Sequence, residues 1–171
     1  MTNTGIIKVF VTNLGKYNEG ELIGDWVSLP ASEEELAAVL DRIGIGPQYE
    51  EYFITDSESE LDGLEIGEYD SLDTLNEIAE KLQEFDETDI EKLEAILEAC
   101  ERDIVEAMEN FDEYTYFSGC SMKEVAEELV DSGAFGYIPE SIICYIDYEA
   151  IARDLKCDGY VETENGVIRT Y

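Results

Sequence analysis

The chain has 171 residues, of which 43 are Asp or Glu and 10 are Lys or Arg, so its formal net charge is −33, with no histidine. Binding to nucleic acids or anionic membranes needs clustered Lys and Arg, and we therefore exclude both as direct partners. Hydrophobic residues make up 44% of the chain, which is enough apolar surface to offset the entropy of ordering it. We predict a folded acidic protein whose partners are basic surfaces or cations.

The charge is distributed unevenly along the chain. Residues 1–61 carry 12 acids and 3 bases (−9), residues 62–112 carry 19 and 3 (−16), and residues 113–171 carry 12 and 4 (−8). Small domains contain about 50 residues, so each part is long enough to be one. We predict an α+β protein, an elongated chain of an N-terminal sheet-and-helix domain (1–61), an acidic helical domain (62–112) and a C-terminal mixed domain (113–171).

The pattern in residues 1–61 predicts a three-stranded antiparallel sheet covered by one helix. Ser32, followed three positions later by Glu35, is a capping-box pattern, and apolar residues then recur at helical spacing as far as Ile43. Residues 15–20 predict a turn that joins the first two strands as a hairpin. The β-branched and aromatic runs that predict the strands lie at 6–13, 21–29 and 49–56.

Residues 62–112 are helical by the period of their apolar residues. A first helix is predicted after Ser71, a second after Thr88 and a third, as a restart, after Asp103; the last two residues are each followed three positions later by Glu. The acids between the apolar stripes are predicted to face water. The apolar face of the first helix consists of Leu72, Leu75, Ile78, Ala79 and Leu82.

Residues 113–171 combine helices with short strands. The segment Phe135–Tyr148 is the most aromatic and least acidic part of the chain. Two alternating runs around Asn165-Gly166 predict a two-residue hairpin turn. The other predicted elements are a strand at 114–118, a helix at 121–133 that Ser121 caps together with Glu124, and a short helix at 147–155.

Residues that would carry catalysis are scarce. The chain has no His, the usual general base, and it has neither a Gly-x-Ser-x-Gly sequence nor a phosphate-binding Gly loop. We predict no enzyme, no catalytic residue and no cofactor. A hydrolase that uses two of the 43 carboxylates stays an alternative, because paired carboxylates can cleave glycosidic bonds.

The densest acidic run, Asp56–Gly63, is the natural candidate for a cation site. An EF-hand loop needs Gly at its sixth position and Glu at its twelfth. A loop from Asp56 has Leu61 sixth, and a loop from Glu58 has Tyr69 twelfth, so both registers fail. We therefore predict a solvated loop and no metal site. The four cysteines form no C-x-x-C pair and are predicted to be buried free thiols.

The sequence carries no sign of membrane insertion or secretion. No run approaches the roughly 20 apolar residues that a spanning helix needs. Residues 1–5 lack the basic and apolar regions of a secretory signal. We therefore expect a cytoplasmic protein.

Two interpretations of the acidic surface are open. Dense carboxylates can hold hydration and ions, as in a salt-adapted binding protein without DNA mimicry. Against this stands a cost, because carboxylates three or four apart on a helix repel each other by a few tenths of a kcal/mol per pair. Alternatively, the negative field is itself the function. Duplex DNA carries one charge per about 1.7 Å, so the net charge of −33 corresponds to about 56 Å of duplex, and a symmetric dimer to about 110 Å.

Several segments resemble the ArdA family of antirestriction proteins, over essentially the whole chain. The segment Asn13–Val27 is similar to the opening signature of that family, and the likeness continues through Tyr52–Asp56 and Ile66–Tyr69. One departure is Cys100-Glu101-Arg102, where the family leads us to expect a Gly-containing break between helices. The remaining similar segments are Leu75-Asn76-Glu77, Ile138-Pro139-Glu140, Tyr145–Glu149 and Arg153-Asp154-Leu155, the last three of which resemble the C-terminal antirestriction motif.

This resemblance implies a non-enzymatic DNA mimic, carried by mobile genetic elements. Such a protein occupies the DNA groove of the methyltransferase and specificity subunits of type I restriction-modification enzymes. It thereby blocks restriction, and whether it also blocks modification is left open. The family forms elongated homodimers of three small domains per chain, with the dimer contact in the C-terminal domain. We expect that contact at Ile142, Ile143 and Tyr145. The acids expected to stand in for phosphates are Asp73, Glu77, Glu80, Glu84, Glu91, Glu94, Glu98, Glu101, Glu106 and Glu109.

Overall fold

The structure is a computed structural model that describes residues 5–100 and 103–170. Backbone contacts divide the chain into two units, Met1–Asp86 and Glu87–Tyr171, and each unit contains one three-stranded antiparallel sheet with helices. The predicted α+β class is therefore confirmed. The division into three domains at 61/62 and 112/113 stays a prediction.

The first unit is built on a sheet with β1 in the centre. Its strands are β1 (Ile7–Asn13), β2 (Gly24–Leu29) and β3 (Tyr52–Ser59), and its helices are α1 (Leu14–Asn18), α2 (Glu33–Arg42) and α3 (Leu72–Leu82). Both outer strands run antiparallel to β1, in the order β2-β1-β3. The predicted hairpin of the first two strands is therefore confirmed.

The central strand has one buried face. Ile7, Val9 and Val11 are fully buried, and α2 contributes the buried side chains of Leu36 and Val39 to the core of the unit. Successive side chains of a strand point to opposite faces of the sheet. The residues of β1 on the opposite face are Lys8, Phe10 and Thr12.

Hydrogen bonds of the Asn13 side chain hold the segment that follows β1. Its side chain is fully buried; its Oδ1 accepts a hydrogen bond from the Lys16 N–H at 2.9 Å, and its Nδ2 donates one to the Ile43 carbonyl at 3.1 Å. These bonds cap α1, so the turn predicted at 15–20 is wrong and a short helix begins there. The contact to a residue 30 positions away was not visible in the local pattern.

The third strand lies three residues further along the chain than predicted. β3 pairs with β1 along its whole length, with a register shift in the middle of β1. Across this pair the Lys8 Nζ lies 3.8 Å from the Glu58 carboxylate. The first half of Asp56–Gly63 is therefore strand, and the prediction of a solvated loop was wrong for that half.

Two helices begin with the predicted capping boxes. In α2 the Ser32 hydroxyl accepts the Glu35 N–H at 3.3 Å, and the Glu35 carboxylate accepts the Ser32 N–H at 2.9 Å. Ser121 and Glu124 make the same pair of bonds, at 3.3 and 2.8 Å. Hydrogen bonds from the serine backbone and hydroxyl lower the pKa of both glutamates below the ordinary value.

Removing the capping serine of α2 is expected to change the pKa of Glu35 and to leave the pKa of Glu124, in the other capping box, unchanged. In Ser32→Ala the Glu35 pKa should rise only partway to its ordinary value, because the backbone N–H of residue 32 still donates. The helix should lose about 1 kcal/mol of stability. Since the folded-state pKa of Glu35 lies below the unfolded one, the part of the stability that comes from its carboxylate is fully present above the unfolded value of about 4.3 and is lost as pH falls through the folded value. Side-chain NMR titration measures both glutamates, and an unchanged Glu35 would contradict the assignment.

The second unit is built on a sheet with β6 in the centre. Its helices are α4 (Glu87–Cys100), α5 (Ile104–Glu109), α6 (Met122–Asp131), α7 (Glu140–Ile143) and α8 (Tyr148–Cys157), and its strands are β4 (Thr115–Ser118), β5 (Tyr160–Thr163) and β6 (Gly166–Arg169). A 3-10 turn at Phe111–Glu113 precedes β4, and the strand order is β4-β6-β5.

The helices α4, α6 and α8 cover this sheet. Val167 of β6 is fully buried in a cluster with side chains of α6 and α8, including Val125 and Leu155. Ile168, the next residue, is also fully buried and points to the opposite face. α4 lies against all three strands. The central strand is therefore apolar at both of these successive positions because each face of the sheet is covered.

Two local predictions for this unit need correction. α4 already begins at Glu87, so Thr88 lies inside its first turn and is not the N-cap. The hairpin turn consists of Glu164 and Asn165, one residue earlier than predicted, and Gly166 belongs to β6. A Cβ on Gly166 would collide with the Phe117 carbonyl oxygen of β4, so a neighbouring strand requires this glycine.

The restart of the helix at Asp103 is confirmed, with the Asp103 carboxylate accepting the Val105 N–H at 2.8 Å. The cysteines differ from the prediction. All four are free, but only Cys100 and Cys120 are half-buried, whereas Cys144 and Cys157 are exposed. Burial of all four thiols is therefore wrong.

Candidate functional site

The acids of α3 form one exposed row. Asp73, Glu77 and Glu80 are exposed on the helix, and Glu84 is exposed two residues after its end. The spacings of four and three residues place the three helical acids within about 60° of one another around the helix axis. The five apolar residues predicted to face the core are all buried, on the other side of the helix. At 1.5 Å per residue the three acids within the helix span about 10 Å. α3 thus presents three carboxylates to solvent along a single line, and Glu84 follows directly after the helix.

Specific contacts hold α3 against the first unit. The Leu72 N–H at its first turn donates to the Tyr52 hydroxyl at 3.2 Å. The Asn76 Oδ1 accepts the Ala31 N–H at 2.7 Å, next to the start of α2. The Asn76 Nδ2 donates to the Glu80 carboxylate at 3.3 Å. The acidic row is therefore fixed to the sheet that carries it.

The acids of α4 have a different environment. Glu91 and Glu94 are half-buried, and Glu98 is exposed. The Glu91 carboxylate accepts the Ser118 hydroxyl at 2.7 Å, and the Glu98 carboxylate accepts the Glu164 N–H at 3.2 Å. These carboxylates therefore tie α4 to β4 and to the hairpin turn, in addition to carrying charge.

Tyr116 of β4 lies within the field of the same helix. Its hydroxyl donates to the Asn165 carbonyl at 2.9 Å. Partial burial, followed by the carboxylates of Glu91, Glu94 and Glu98, raises the pKa of Tyr116 above its ordinary value. The acidic side of α4 therefore faces the sheet, because β4 and the hairpin turn supply its hydrogen-bond donors.

The remaining predicted acids lie beyond α4. Glu106 and Glu109 of α5 are exposed. Glu101 lies outside the described residues. The structure thus brings the predicted acids of α3 together in one row and divides those of α4 between solvent and the sheet.

The negative charge is divided almost equally between the two units. Residues 1–86 carry 21 acids and 4 bases, a net charge of −17, and residues 87–171 carry 22 and 6, a net charge of −16. Residues 62–86 carry 9 acids and 1 base and residues 87–112 carry 10 and 2, a net charge of −8 in each case, so the acidic part 62–112 belongs equally to both units.

The three residues predicted for the dimer contact lie in and just after α7. Ile142 is 49% exposed, Tyr145 is 83% exposed and Ile143 is half-buried. Phe135 and Tyr137, in the same segment, are also exposed. This is an apolar surface within the second unit.

One surface feature was missed by the sequence analysis. Phe10, Tyr17, Trp26 and Phe53 form an aromatic groove on the first unit, with Leu22 beside them. The sequence signal for this groove was the alternation of β1, which places Phe10 on the face opposite the buried one. The pairing of Phe10 with Trp26 across β1 and β2 could be known only from the register.

Among residues 5–100 and 103–170, no group of three or more His, Cys, Asp or Glu side chains is arranged to hold a metal ion. Within that same part of the chain, no helix combines the length and apolarity that crossing a membrane requires.

Comparison with known proteins agrees with the resemblance in the sequence. The family model described as antirestriction protein (ArdA) matches residues 9–169. A comparison with curated proteins found no match. The matched region includes both sheets, α3 and α4. The chain therefore belongs to the ArdA family of antirestriction proteins.

Proposed function

We propose that the protein inhibits type I restriction-modification enzymes by presenting exposed carboxylates in place of the phosphates of duplex DNA. The observation that carries this proposal is the α3 row: three acids on the helix, held in line by buried apolar residues and by Asn76, with Glu84 directly after the helix. The row has one charge per about 5.5 Å, compared with one per about 3.4 Å along one DNA strand. One helix is therefore less dense than DNA, and mimicry needs the acids of both units.

The proposed partners are the methyltransferase and specificity subunits, whose DNA groove is basic. Electrostatic complementarity of this kind steers association and selects partners. Inhibition would require no catalysis, because an occupied groove cannot bind DNA. The same mechanism would block modification as well as restriction.

Competition with DNA provides the direct test. The purified protein is titrated into a type I enzyme that holds a fluorescently labelled duplex, and fluorescence anisotropy follows release of the duplex. Complete displacement at a fixed stoichiometry is expected. Inhibition of cleavage while the duplex stays bound would contradict mimicry, and absence of any displacement would favour a salt-adapted surface. A carboxylate enzyme would instead degrade the substrate or the duplex with turnover.

We also propose that the protein acts as a homodimer through Ile142, Ile143 and Tyr145. Exposed apolar side chains that lie together commonly mark an interaction surface. A two-fold dimer would bring the same segment of each chain together and double the number of charges in one particle.

Charging the proposed contact is expected to give monomers. Tyr145→Glu should sediment as a single chain of 19.3 kDa, because a carboxylate would have to be desolvated in the interface. Tyr69, which is 75% exposed in the first unit, provides the matched control, and Tyr69→Glu should remain dimeric. A dimeric Tyr145→Glu in analytical ultracentrifugation would place the interface elsewhere.

A further inference from the structure

The aromatic groove of the first unit has a floor and a rim. Phe53 is 8% exposed and Phe10 is half-buried, whereas Trp26 is 40% exposed, Tyr17 52% and Leu22 69%. Thr55 also lines the groove, and its hydroxyl lies 2.9 Å from that of Thr12 on the same side of the sheet. The groove is a shallow, open surface on the side of the sheet opposite the core.

The ring geometry leaves aromatic faces available to a ligand. Phe10 and Trp26 meet at 68° with centroids 5.4 Å apart, and Tyr17 and Phe53 meet at 65° and 5.2 Å. An edge-to-face pair uses at most one face of one ring. The exposed Trp26 and Tyr17 rings therefore keep surface on which a planar group can stack.

The charge around the groove selects the sign of that group. The residues that line it include the carboxylates of Asp56 and Glu68 and no Lys or Arg. Nearby cations already have carboxylate partners: Arg42 pairs with Asp25, and Lys16 lies 3.4 Å from Glu21. An apolar groove with two carboxylates favours a cation that has its own apolar or planar surface.

We propose that this groove docks an arginine of a partner polypeptide, with an apolar residue next to it. A guanidinium can stack on an aromatic ring and bind a carboxylate through two N–H groups at once, which an ammonium cannot do. The apolar neighbour would cover Leu22 and the Phe53 edge. The inference does not depend on the inhibition of restriction enzymes, because the acids of α3 are not part of the groove.

The chain contains a built-in reporter for this site. Trp26 is its single tryptophan, so intrinsic fluorescence of the full chain reports on the groove alone. The probe is an acetylated, amidated peptide of about eight residues, in which one Arg-Leu pair stands between Gly and Ser residues. Matched peptides carry citrulline, which is planar but uncharged, or lysine in place of the arginine.

Saturable change of Trp26 emission is expected with the arginine peptide. Affinity for the citrulline peptide should be at least about fivefold lower, and the lysine peptide should also bind more weakly. Asp56→Asn combined with Glu68→Gln should reduce affinity for the arginine peptide to the citrulline level. The matched control, Asp73→Asn combined with Glu77→Gln, removes two charges from α3 and should leave peptide affinity unchanged.

Several outcomes would overturn the proposal. Equal affinity for arginine and citrulline peptides would do so, as would absence of a saturable change with the arginine peptide. Emission that depends on protein concentration alone would identify a second copy of the chain as the occupant. Saturation by a single-stranded oligothymidylate would identify nucleobases instead. Cooperative urea unfolding of both double variants establishes that the comparison is made between folded proteins.

Discussion

Simultaneous neutralisation of the α3 row is expected to lower inhibition of a type I enzyme by about 30-fold. The changes are Asp73→Asn, Glu77→Gln, Glu80→Gln and Glu84→Gln. An exposed ion pair contributes roughly 0.5 kcal/mol, so four give about 2 kcal/mol, which is about 30-fold in affinity. Each single change should cost less than about threefold by the same estimate. The concentration of protein that halves DNA cleavage measures the effect.

A matched control separates the row from total charge. Neutralising the exposed acids Glu33, Glu34, Asp41 and Glu50 removes the same four charges from the same unit, outside the predicted surface. This variant should retain most of the inhibition. An equal loss in both variants would contradict the role of α3, and a single substitution on α3 that abolishes inhibition would contradict a distributed surface.

The acids of α4 are less suitable for this test. The Glu91 carboxylate accepts the Ser118 hydroxyl, and the Glu98 carboxylate accepts a backbone N–H of the hairpin turn. Reversing either charge would remove a hydrogen bond within the second unit, so a loss of inhibition could arise from a loss of stability. In the α3 row the Glu80 carboxylate accepts the Asn76 Nδ2–H, but Glu80→Gln keeps an oxygen that can accept it, and the urea midpoint of the variant checks the fold.

Increasing salt is expected to move inhibition and folding stability in opposite directions. Salt screens the attraction between carboxylates and a basic groove, so binding should weaken at least about tenfold between roughly 50 and 200 mM salt; six phosphate contacts of DNA lose about 10³-fold over that range. Repulsion within the protein is screened as well. α3 alone has two like-charge pairs at spacings of three or four residues, Asp73–Glu77 and Glu77–Glu80, which together cost about 0.7 kcal/mol at low salt.

Urea unfolding at several salt concentrations measures the folding side of this prediction, since urea itself adds no ions. The midpoint should rise with salt, and it should rise less in the variant with the neutralised α3 row. A midpoint independent of salt would contradict the view that like charges are held together at an energetic cost. Binding to the enzyme, measured over the same range, must fall while the midpoint rises.

Features that depend on neighbours within one helical turn were predictable from the sequence. The capping boxes of α2 and α6 are confirmed because each needs only a serine and a glutamate three positions apart. The five apolar residues of α3 are confirmed as buried because one face of a helix repeats every three to four residues. The exposure of the three acids on α3 follows from the same repeat.

Features that depend on distant contacts were predicted less well. The turn predicted after β1 is a helix that the Asn13 side chain caps, and the same side chain is held in place by its bond to the Ile43 carbonyl. The apolar stripe of α4 was largely recognised, but not the second contact of this helix, where Ala95 is buried beside Glu91 and Glu98. A helix that packs on two sides shows only a weak period in its apolar residues, so the second contact of α4 could not be recognised. The acids of α4 were therefore expected to face water.

The sequence alone determined the sign and size of the charge, the α+β class, the family, and the exposed acids of α3, because composition and local periodicity are properties of the chain itself. Only the tertiary structure decided which carboxylates are free for a partner and which hold the fold, and it alone placed Trp26 beside Phe10. The physical reason is that strand register and helix docking arise from contacts between residues far apart in the chain. Such contacts cannot be recognised in the local sequence pattern around either residue.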